Sequence, residues 1–469
     1  MKTGLRALFL SLVLAGMLAV TSCSGGSAAK SSVASAQSAM VTVNIGDSPN
    51  DRVAALEVTI SSITLSTDSG STVPVLTSPV TIELRRLSGT FRPISITSVP
   101  AGTYTQANLQ LSAAKITVLD PATGQLREKA LPVPTTPVSI KFASPLVLTT
   151  QAATVNLDFN LASSVSIDAN GNITFTPTII ATVAKVRPDK ENEHDAEDGE
   201  VDEVVGSVTD VSTPKFTIML GQGPQTLTFV TDSSTQFKGV GSLAAITKGT
   251  IVEVHAITQT DGSLLATKVE VEVQDGDERE GAAEGLVVST TGSPVTQFGM
   301  LVRDRDGDSS KSSPLGSTLT VNVNSNTQFS FAAGTIDLSK LSPTPLFDAT
   351  SLAKGQNVLA GMMSREFEAE DAHSGGMAIT ADKVRLRQQA LTGTVSAVIQ
   401  NGTSTSFTLT VPADSVFAML AGQTAVIVTQ QANTQVSTPV ASGATVRVRG
   451  LLFFAGGKYT LVASRILQP

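Results

Sequence analysis

Short runs in which apolar and polar residues alternate recur along most of the chain. The apolar members of the first run are Val41, Val43 and Ile45. The later runs are Leu56, Val58 and Ile60; Val155, Leu157, Phe159 and Leu161; Val269, Val271 and Val273; Leu319, Val321 and Val323; and Val446 and Val448. A period of two puts successive side chains on opposite faces of a strand, so these runs predict half-buried β-strands.

Turn-forming dipeptides separate the runs. They are Asn170-Gly171, Asp261-Gly262, Asn401-Gly402 and Gly456-Gly457. Such residues accept the positive φ that tight hairpin turns require. Helical periodicity is confined to a turn or two near Leu243 to Ile246. The sequence therefore predicts an all-β protein, with an N-terminal β-sandwich, about three small β-barrel repeats and flexible acidic linkers.

The N-terminus has the pattern of an export signal. Lys2 and Arg6 precede an apolar stretch, residues 7–19, which is too short to span a bilayer. Val20-Thr21-Ser22-Cys23 follows and resembles the lipobox of bacterial lipoproteins. The resemblance implies cleavage between Ser22 and Cys23 and a covalent lipid on Cys23. A plain signal peptide with an incidental cysteine is the alternative.

Residues 23–39 are rich in small and polar side chains and predict a flexible tether. A lipid on Cys23 would make the membrane the first partner of the protein. The expected location is the cell envelope, specifically the outer membrane in a Gram-negative cell. The membrane face, periplasmic or surface, stays open.

The charge distribution predicts the domain boundaries. Residues 188–204 hold nine of the 40 acidic residues and one of the 32 basic residues, so the rest of the chain is neutral. Such a run repels itself and is typical of a solvated spacer, with a metal- or partner-binding segment as the alternative. The predicted order is a signal peptide, a tether, a sandwich, a linker, a first barrel, a second linker, and two further barrels. Their ranges are 1–22, 23–39, 40–187, 188–203, 204–273, 274–283, 284–388 and 389–469.

Three segments after the first linker share a pattern. Each begins with a glycine, Gly206, Gly285 or Gly393, and each ends in a strand that starts at a small alanine. The first two also contain Thr-Gln-Phe, at 235–237 and 327–329. The pattern resembles the small β-barrel family called domain of unknown function 5666, which implies repeated barrels in an exported protein.

Residues 40–187 resemble a second family, domain of unknown function 4382, which implies a lipoprotein β-sandwich. The resemblance rests on Gly46-Asp47-Ser48-Pro49, Pro100-Ala101-Gly102-Thr103-Tyr104, Leu157-Asp158-Phe159 and Phe175-Thr176-Pro177. The family usually opens with Thr-Asp-Ala-Pro, so Gly46 and Ser48 depart from it. Neither family implies catalytic residues.

The amino-acid composition limits the ligands and catalytic groups that the protein can have. The formal charge of −8 argues against nucleic acid as a partner. One cysteine and three scattered histidines, His194, His255 and His373, do not make a zinc site or a disulfide framework. We therefore predict no catalytic residue and no cofactor besides the lipid. Gly239-Val240-Gly241-Ser242-Leu243-Ala244 fits a dinucleotide fingerprint by letter only, and we interpret it as a loop.

Asp304, Asp306 and Asp308 are the candidate metal ligands. Three alternating carboxylates could hold calcium, but the glycine and glutamate positions of an EF-hand loop are not matched. A charged, exposed hairpin tip is the favoured interpretation.

Three functions remain open. The first is a membrane-anchored, non-enzymatic protein that binds or scaffolds envelope proteins. The second is a carbohydrate- or polymer-binding or adhesion protein, for which the absence of Trp leaves few stacking rings. The third is a hydrolase with an unrecognised carboxylate pair.

Overall fold

Two sheets formed by residues 38–185 enclose an extensive apolar core. The computed structural model describes residues 37–168, 170–186, 200–220, 225–273, 281–307, 314–362, 378–402 and 404–468. The strands of this first module are β1 (Ser38–Ser48), β2 (Val53–Ser66), β3 (Thr72–Leu76), β4 (Val80–Glu83), β5 (Phe91–Pro100), β6 (Gly102–Leu119), β7 (Leu126–Leu131), β8 (Val138–Leu148), β9 (Ala153–Asn160), β10 (Val165–Ile167), β11 (Ile173–Phe175) and β12 (Ile179–Lys185). The predicted β-sandwich is thereby confirmed.

The first sheet has the order β12-β9-β1-β5, and the second is built on β3-β2-β6-β7 with β4 on β2 and β8 on β6. Val41, Val43 and Ile45 of β1 are fully buried between the sheets, as their alternation predicts. Thr42 and Asn44 are buried as well, so the expectation of a half-buried strand was wrong for β1. Strands β1 and β9 pair in parallel, which places Gly46 opposite Asp158 and Asp47 opposite Phe159. This register brings two of the motifs noted in the sequence to one end of the sheet.

Three barrels follow the sandwich. The strands of the first are β13 (Glu200–Ser212), β14 (Lys215–Met219), β15 (Thr226–Val230), β16 (Gln236–Lys238), β17 (Ile251–Thr258) and β18 (Leu264–Val273). The second has β19 (Gly281–Thr291), β20 (Gln297–Gly307), β21 (Thr318–Asn322), β22 (Gln328–Phe331), β23 (Asn357–Met362), β24 (Ala378–Thr380) and β25 (Lys383–Leu386). The third has β26 (Gln388–Asn401), β27 (Ser404–Thr410), β28 (Ala425–Val436), β29 (Thr445–Ala455) and β30 (Lys458–Leu467).

The same pairing order recurs in each barrel. The short strands β16 and β22 pair in parallel with the last strand of their barrel and are left out of this count. Among the other strands, the first pairs with the second and the fourth, the second with the third, the third in parallel with the last, and the last with the fourth. In the second barrel β24 and β25 share the role of the last strand. This is the order of a five-stranded Greek-key barrel such as the OB-fold, an architecture that hosts many functions. The predicted barrel repeats are confirmed.

One threonine in each barrel makes the same hydrogen bonds. The hydroxyls of Thr235, Thr327 and Thr434 donate to the carbonyl oxygens of Ala266, Ala381 and Ala463, at 2.7, 2.7 and 2.8 Å. Each hydroxyl also accepts a backbone N–H three residues earlier in the chain. The hydroxyl therefore ties the crossover loop to the alanine of the last strand.

The initial glycines have a steric reason. A Cβ at Gly206, Gly285 or Gly393 would lie 2.1–2.5 Å from a backbone oxygen of the second strand of its own barrel. Glycine therefore lets the first two strands cross closely, as the sequence pattern suggested.

Helices are few among the described residues. Leu243–Ala245 forms the predicted short turn, of the 3₁₀ type. Two α-helices were not predicted: α1 (Leu161–Ser164), where Leu161 had been expected on a strand, and α2 (Val416–Ala421). Among the described residues no helix has the length and apolarity needed to cross a membrane.

Candidate functional site

Several predicted site residues lie outside the described residues. They are Ser22, Cys23, His194, Asp308 and His373. The side chain of Asp306 is likewise not described. The lipidation site and most of the calcium candidate therefore stay predictions.

Asp304 does not lie at an exposed tip. It lies within strand β20 with 8% of its surface exposed, and Arg303 beside it is 6% exposed. Asp304 forms ion pairs with Arg86 at 2.9 Å and Arg92 at 3.3 Å. The expectation of an exposed, charged tip was wrong for Asp304, because the sandwich covers this part of β20. Within the described ranges no group of three or more His, Cys, Asp or Glu side chains could hold a metal ion.

Glu83 positions two neighbouring arginines, of which Arg86 meets β20. Its buried carboxylate accepts three backbone N–H groups, those of Leu56, Arg85 and Arg86, at 2.9–3.0 Å. These bonds fix the 3₁₀ turn Arg85–Leu87, from which two guanidinium groups leave. Burial raises the pKa of Glu83, although a nearby guanidinium, that of Arg303, opposes the shift.

The two guanidinium groups have different partners. Arg86 reaches the second barrel and pairs with Glu284 at 3.4 Å as well as with Asp304. Arg85 stays within the sandwich and lies 3.7 Å from Asp47 and 3.6 Å from Asp51. We call Arg85 and Arg86, with the carboxylates that they contact, the arginine hub.

Asp47, which belongs to this hub, is close enough to the second motif aspartate, Asp158, for the two charges to interact. Ser88 donates to Asp47 at 2.8 Å, and Ser48 donates to Asp158 at 2.6 Å. The Oδ1 atom of each aspartate is buried and has no hydrogen-bond partner in the described part of the chain. Burial raises the pKa of Asp47 to about 8, against the opposing effects of Arg85 and Ser88. A carboxyl with that pKa keeps its proton at neutral pH.

The third barrel contributes charge to the same region. The Nε atom of Arg447, on β29, is buried without a hydrogen-bond partner among the described residues, and its charge acts on Asp47, Asp51 and Asp158. Arg449, two residues on, donates to the carbonyl oxygen of Ser88 at 3.1 Å and to Glu203 at 2.6 Å. The sandwich and the third barrel therefore meet through buried charges.

The first and second barrels also meet through buried ion pairs. Arg385 contacts Glu270 at 2.9 Å and Glu272 at 2.5 Å. Burial disfavours the charged form of Glu270. Arg385 and Lys268 together outweigh this effect and lower the pKa of Glu270 to about 2. Two residues further along, Arg387 pairs with Glu253 and lies 3.5 Å from Glu284.

His255 belongs to the same interface. Its Nε2 lies 3.0 Å from Oε1 of the fully buried Glu253. Only 14% of the histidine side chain is exposed, because the second barrel covers this face of the first. The letters resembling a dinucleotide fingerprint form the connection between β16 and the turn Leu243–Ala245, as predicted.

A cleft lined by polar and apolar side chains opens elsewhere between the sandwich and the third barrel. Its volume is about 580 Å³. One side is formed by β7 and two hairpin ends, Asp120–Ala122 and Asp168 with Asn170–Asn172, and the other by Asp414 and Met419 of the third barrel. The sequence marked the turn at Asn170-Gly171 but gave no sign that a second module faces it.

The buried charges and the cleft have different roles. The buried charges hold modules together, and Asp47 can exchange a proton there. The cleft instead offers hydrogen-bonding side chains to a solute. Ligand sites commonly lie between modules, so the cleft is the stronger candidate for binding.

Two family models match separate parts of the chain. Residues 38–177 match Domain of unknown function (DUF4382), and residues 205–270 match Domain of unknown function (DUF5666). The order of the two domains is the one predicted from the sequence. Both are domains of unknown function, so the matches give architecture and no activity.

Two solved structures show a distant likeness to this chain. A deletion mutant of the single-stranded DNA binding protein from Thermus aquaticus is 13% identical, with 40% of this chain and 93% of that chain covered and a TM-score of 0.15. A multidomain protein with nucleic acid binding domains from Streptococcus pneumoniae is 14% identical, with 57% and 73% covered and a TM-score of 0.12. A search of curated proteins found no match.

Proposed function

We propose that this is a lipid-anchored protein of the bacterial cell envelope that acts by binding or scaffolding rather than by catalysis. The observation that carries the anchor is Val20-Thr21-Ser22-Cys23, in which the single cysteine of the chain stands at the position a lipobox requires. A lipid there, with the tether that follows, would hold the sandwich and barrels near a membrane.

The non-enzymatic role is supported by what the perturbed carboxyl groups do. Asp47, Glu83 and Glu272 are buried, and each is engaged with arginines within or between modules. Burial accounts for their raised pKa values without a substrate site, and the arginines oppose the shift. The neutral charge outside residues 188–204 continues to favour an envelope protein or a polysaccharide as partner over nucleic acid.

Membrane fractionation of a Cys23→Ser variant tests the anchor. The wild type should stay with membranes after a carbonate wash and incorporate a labelled fatty acid, and Cys23→Ser should do neither. Met17→Ser, within the apolar stretch, is the control for a general loss of export. It should reduce the amount of exported protein, but the protein that is exported should still carry the lipid. A Cys23→Ser protein that still sediments with washed membranes would disprove the anchor.

A further inference from the structure

We propose that the cleft between the sandwich and the third barrel binds a neutral oligosaccharide chain. The inference rests on the binding role proposed above and adds the class of ligand. The cleft volume of about 580 Å³ lies within the range of pockets that enclose small ligands, roughly 300–1,000 Å³.

Direct contacts between the two modules shape the cleft. Arg52 of the sandwich pairs with Asp414 at 3.3 Å and donates to the carbonyl oxygen of Ile167 at 3.0 Å. The backbone N–H of Val416, at the start of α2, donates to the carbonyl oxygen of Asp51 at 2.7 Å. A site formed in this way needs little rearrangement when a ligand enters.

The charges around the cleft favour a neutral ligand over an anionic one. The basic side chains of the lining are Arg52, Arg127 and Lys129, and the acidic ones are Asp120, Glu128, Asp168 and Asp414. Arg52 pairs with Asp414 at 3.3 Å and Arg127 with Asp120 at 3.2 Å, and Lys115, outside the lining, lies 3.3 Å from Glu128. An anionic ligand would therefore meet no excess of opposite charge.

The hydrogen-bonding groups suit hydroxyls. Asp168 accepts the backbone N–H groups of Asn170 and Asn172 and the Nδ2 of Asn172, all at 2.8–2.9 Å. These bonds fix the turn, while the exposed Asn170 amide makes no side-chain hydrogen bond within the described residues. An amide offers a donor and an acceptor side by side, which matches two neighbouring sugar hydroxyls.

Apolar side chains line the same cleft. Val118, Leu119, Ile173 and Met419 lie among the polar groups. They can cover the C–H faces of sugar rings without aromatic stacking, which agrees with the absence of Trp from the sequence.

An extended peptide is a less suitable occupant. Strand β7 ends its sheet and pairs only with β6 among the described strands, so a peptide could in principle add to its edge. However, its exposed residues include Arg127, Glu128 and Lys129, and charged side chains of this kind oppose strand addition at sheet edges.

Calorimetric titration of the full chain in detergent tests the proposal. The neutral probes are maltohexaose, cellohexaose and chitohexaose, and the charged probe is hexagalacturonate. At least one neutral probe should bind more tightly than hexagalacturonate. Asn170→Ala should weaken that binding about three- to tenfold, the effect of one lost hydrogen bond. Ala122→Phe, which fills the cleft, should abolish it.

Matched variants control for effects on folding. Asn326 in the second barrel has the same place in its turn as Asn170, because its backbone N–H donates to the side chain of Asn324, two residues earlier, at 2.8 Å. The Asn326→Ala protein should therefore bind the sugar normally. Ala441→Phe places the same bulk in an exposed turn of the third barrel and should also bind normally.

Four results would overturn the proposal. The first three are no binding of any neutral probe, tighter binding of hexagalacturonate than of the neutral probes, and binding that survives Ala122→Phe. The fourth is a Val/Thr-rich decapeptide that binds the unaltered protein more tightly than the sugar does and displaces it. Each leaves the anchor experiment on Cys23 unaffected, so failure of the ligand assignment is distinguishable from failure of the proposed envelope location.

Discussion

Arg86 lies 2.9 Å from Asp304, although 218 positions separate the two residues in the sequence. The pair joins the sandwich to the second barrel, and both side chains are almost fully buried, at 6% and 11% exposed. Burial makes such a pair a condition for correct docking, because either charge left alone would be poorly solvated. The modules are therefore connected by more than their linkers.

Removing Arg86 should destabilise the full chain strongly. Arg86→Ala leaves Glu284 and Asp304 with fewer partners in a buried environment, and we expect a loss of about 3 kcal/mol in the free energy of unfolding. Urea unfolding followed by circular dichroism measures it. Arg127→Ala removes a guanidinium that is 68% exposed and paired with Asp120, and should cost less than about 1 kcal/mol. Equal losses in the two variants would contradict a special role for the buried pair.

Asp47 should make stability fall as pH rises. The folded state raises the pKa of this carboxyl from 3.8 to about 8, chiefly by burial. Between those values the folded protein holds a proton that the unfolded chain releases, so its contribution to stability is greatest in acid and declines until about pH 8. In Asp47→Asn this contribution disappears, and the slope of unfolding free energy against pH should change by up to about 1.4 kcal/mol per pH unit.

The control for this titration is Asp337→Asn. Hydrogen bonds from Ser339 lower the pKa of Asp337, so its contribution has the opposite sign and is lost as the pH falls. Urea unfolding at a series of pH values from 5 to 9 compares the three proteins. An Asp47→Asn variant with the wild-type slope would show that Asp47 is ionised throughout.

The threonine of each barrel should contribute equally. Thr235→Val, Thr327→Val and Thr434→Val each remove a hydroxyl that donates to an alanine carbonyl and accepts a backbone N–H. We expect each to cost about 1–3 kcal/mol, measured by thermal or urea unfolding. Thr228→Val, in the first barrel, removes an exposed hydroxyl that contacts Thr217 and should cost little. A large loss in one barrel alone would contradict a common structural role.

Local patterns predicted the architecture because its causes are local. Alternation in Val41, Val43 and Ile45 reports a buried face directly, and Thr-Gln-Phe recurs because the same hydroxyl contact recurs. Helices α1 and α2, of four and six residues, are too short to show a helical period. Their caps, Asn160 and Ser415, were the available signal.

The buried charges could not be predicted in the same way. Arg303 and Asp304 have the composition of an exposed segment, and only contacts from the sandwich, such as the bond from Arg303 to Ala54, make them interior. The motifs around Asp47 and Asp158 were recognised separately. Their meeting depends on the parallel pairing of β1 with β9, a register that a single sequence does not reveal.

The sandwich should fold when residues 40–187 are expressed alone, but Arg86 should then matter little. Nearly all of its main apolar cluster, from Val41 to Ala181, lies within that fragment, so the core remains intact. Glu284 and Asp304 are absent from the fragment, and Arg86 there faces solvent where the second barrel had covered it. Arg86→Ala should therefore cost about 3 kcal/mol in the full chain and less than about 1 kcal/mol in the fragment, as judged by urea unfolding of all four proteins. An equal loss in both settings would place the effect inside the sandwich, and a fragment that fails to unfold cooperatively would contradict its independence.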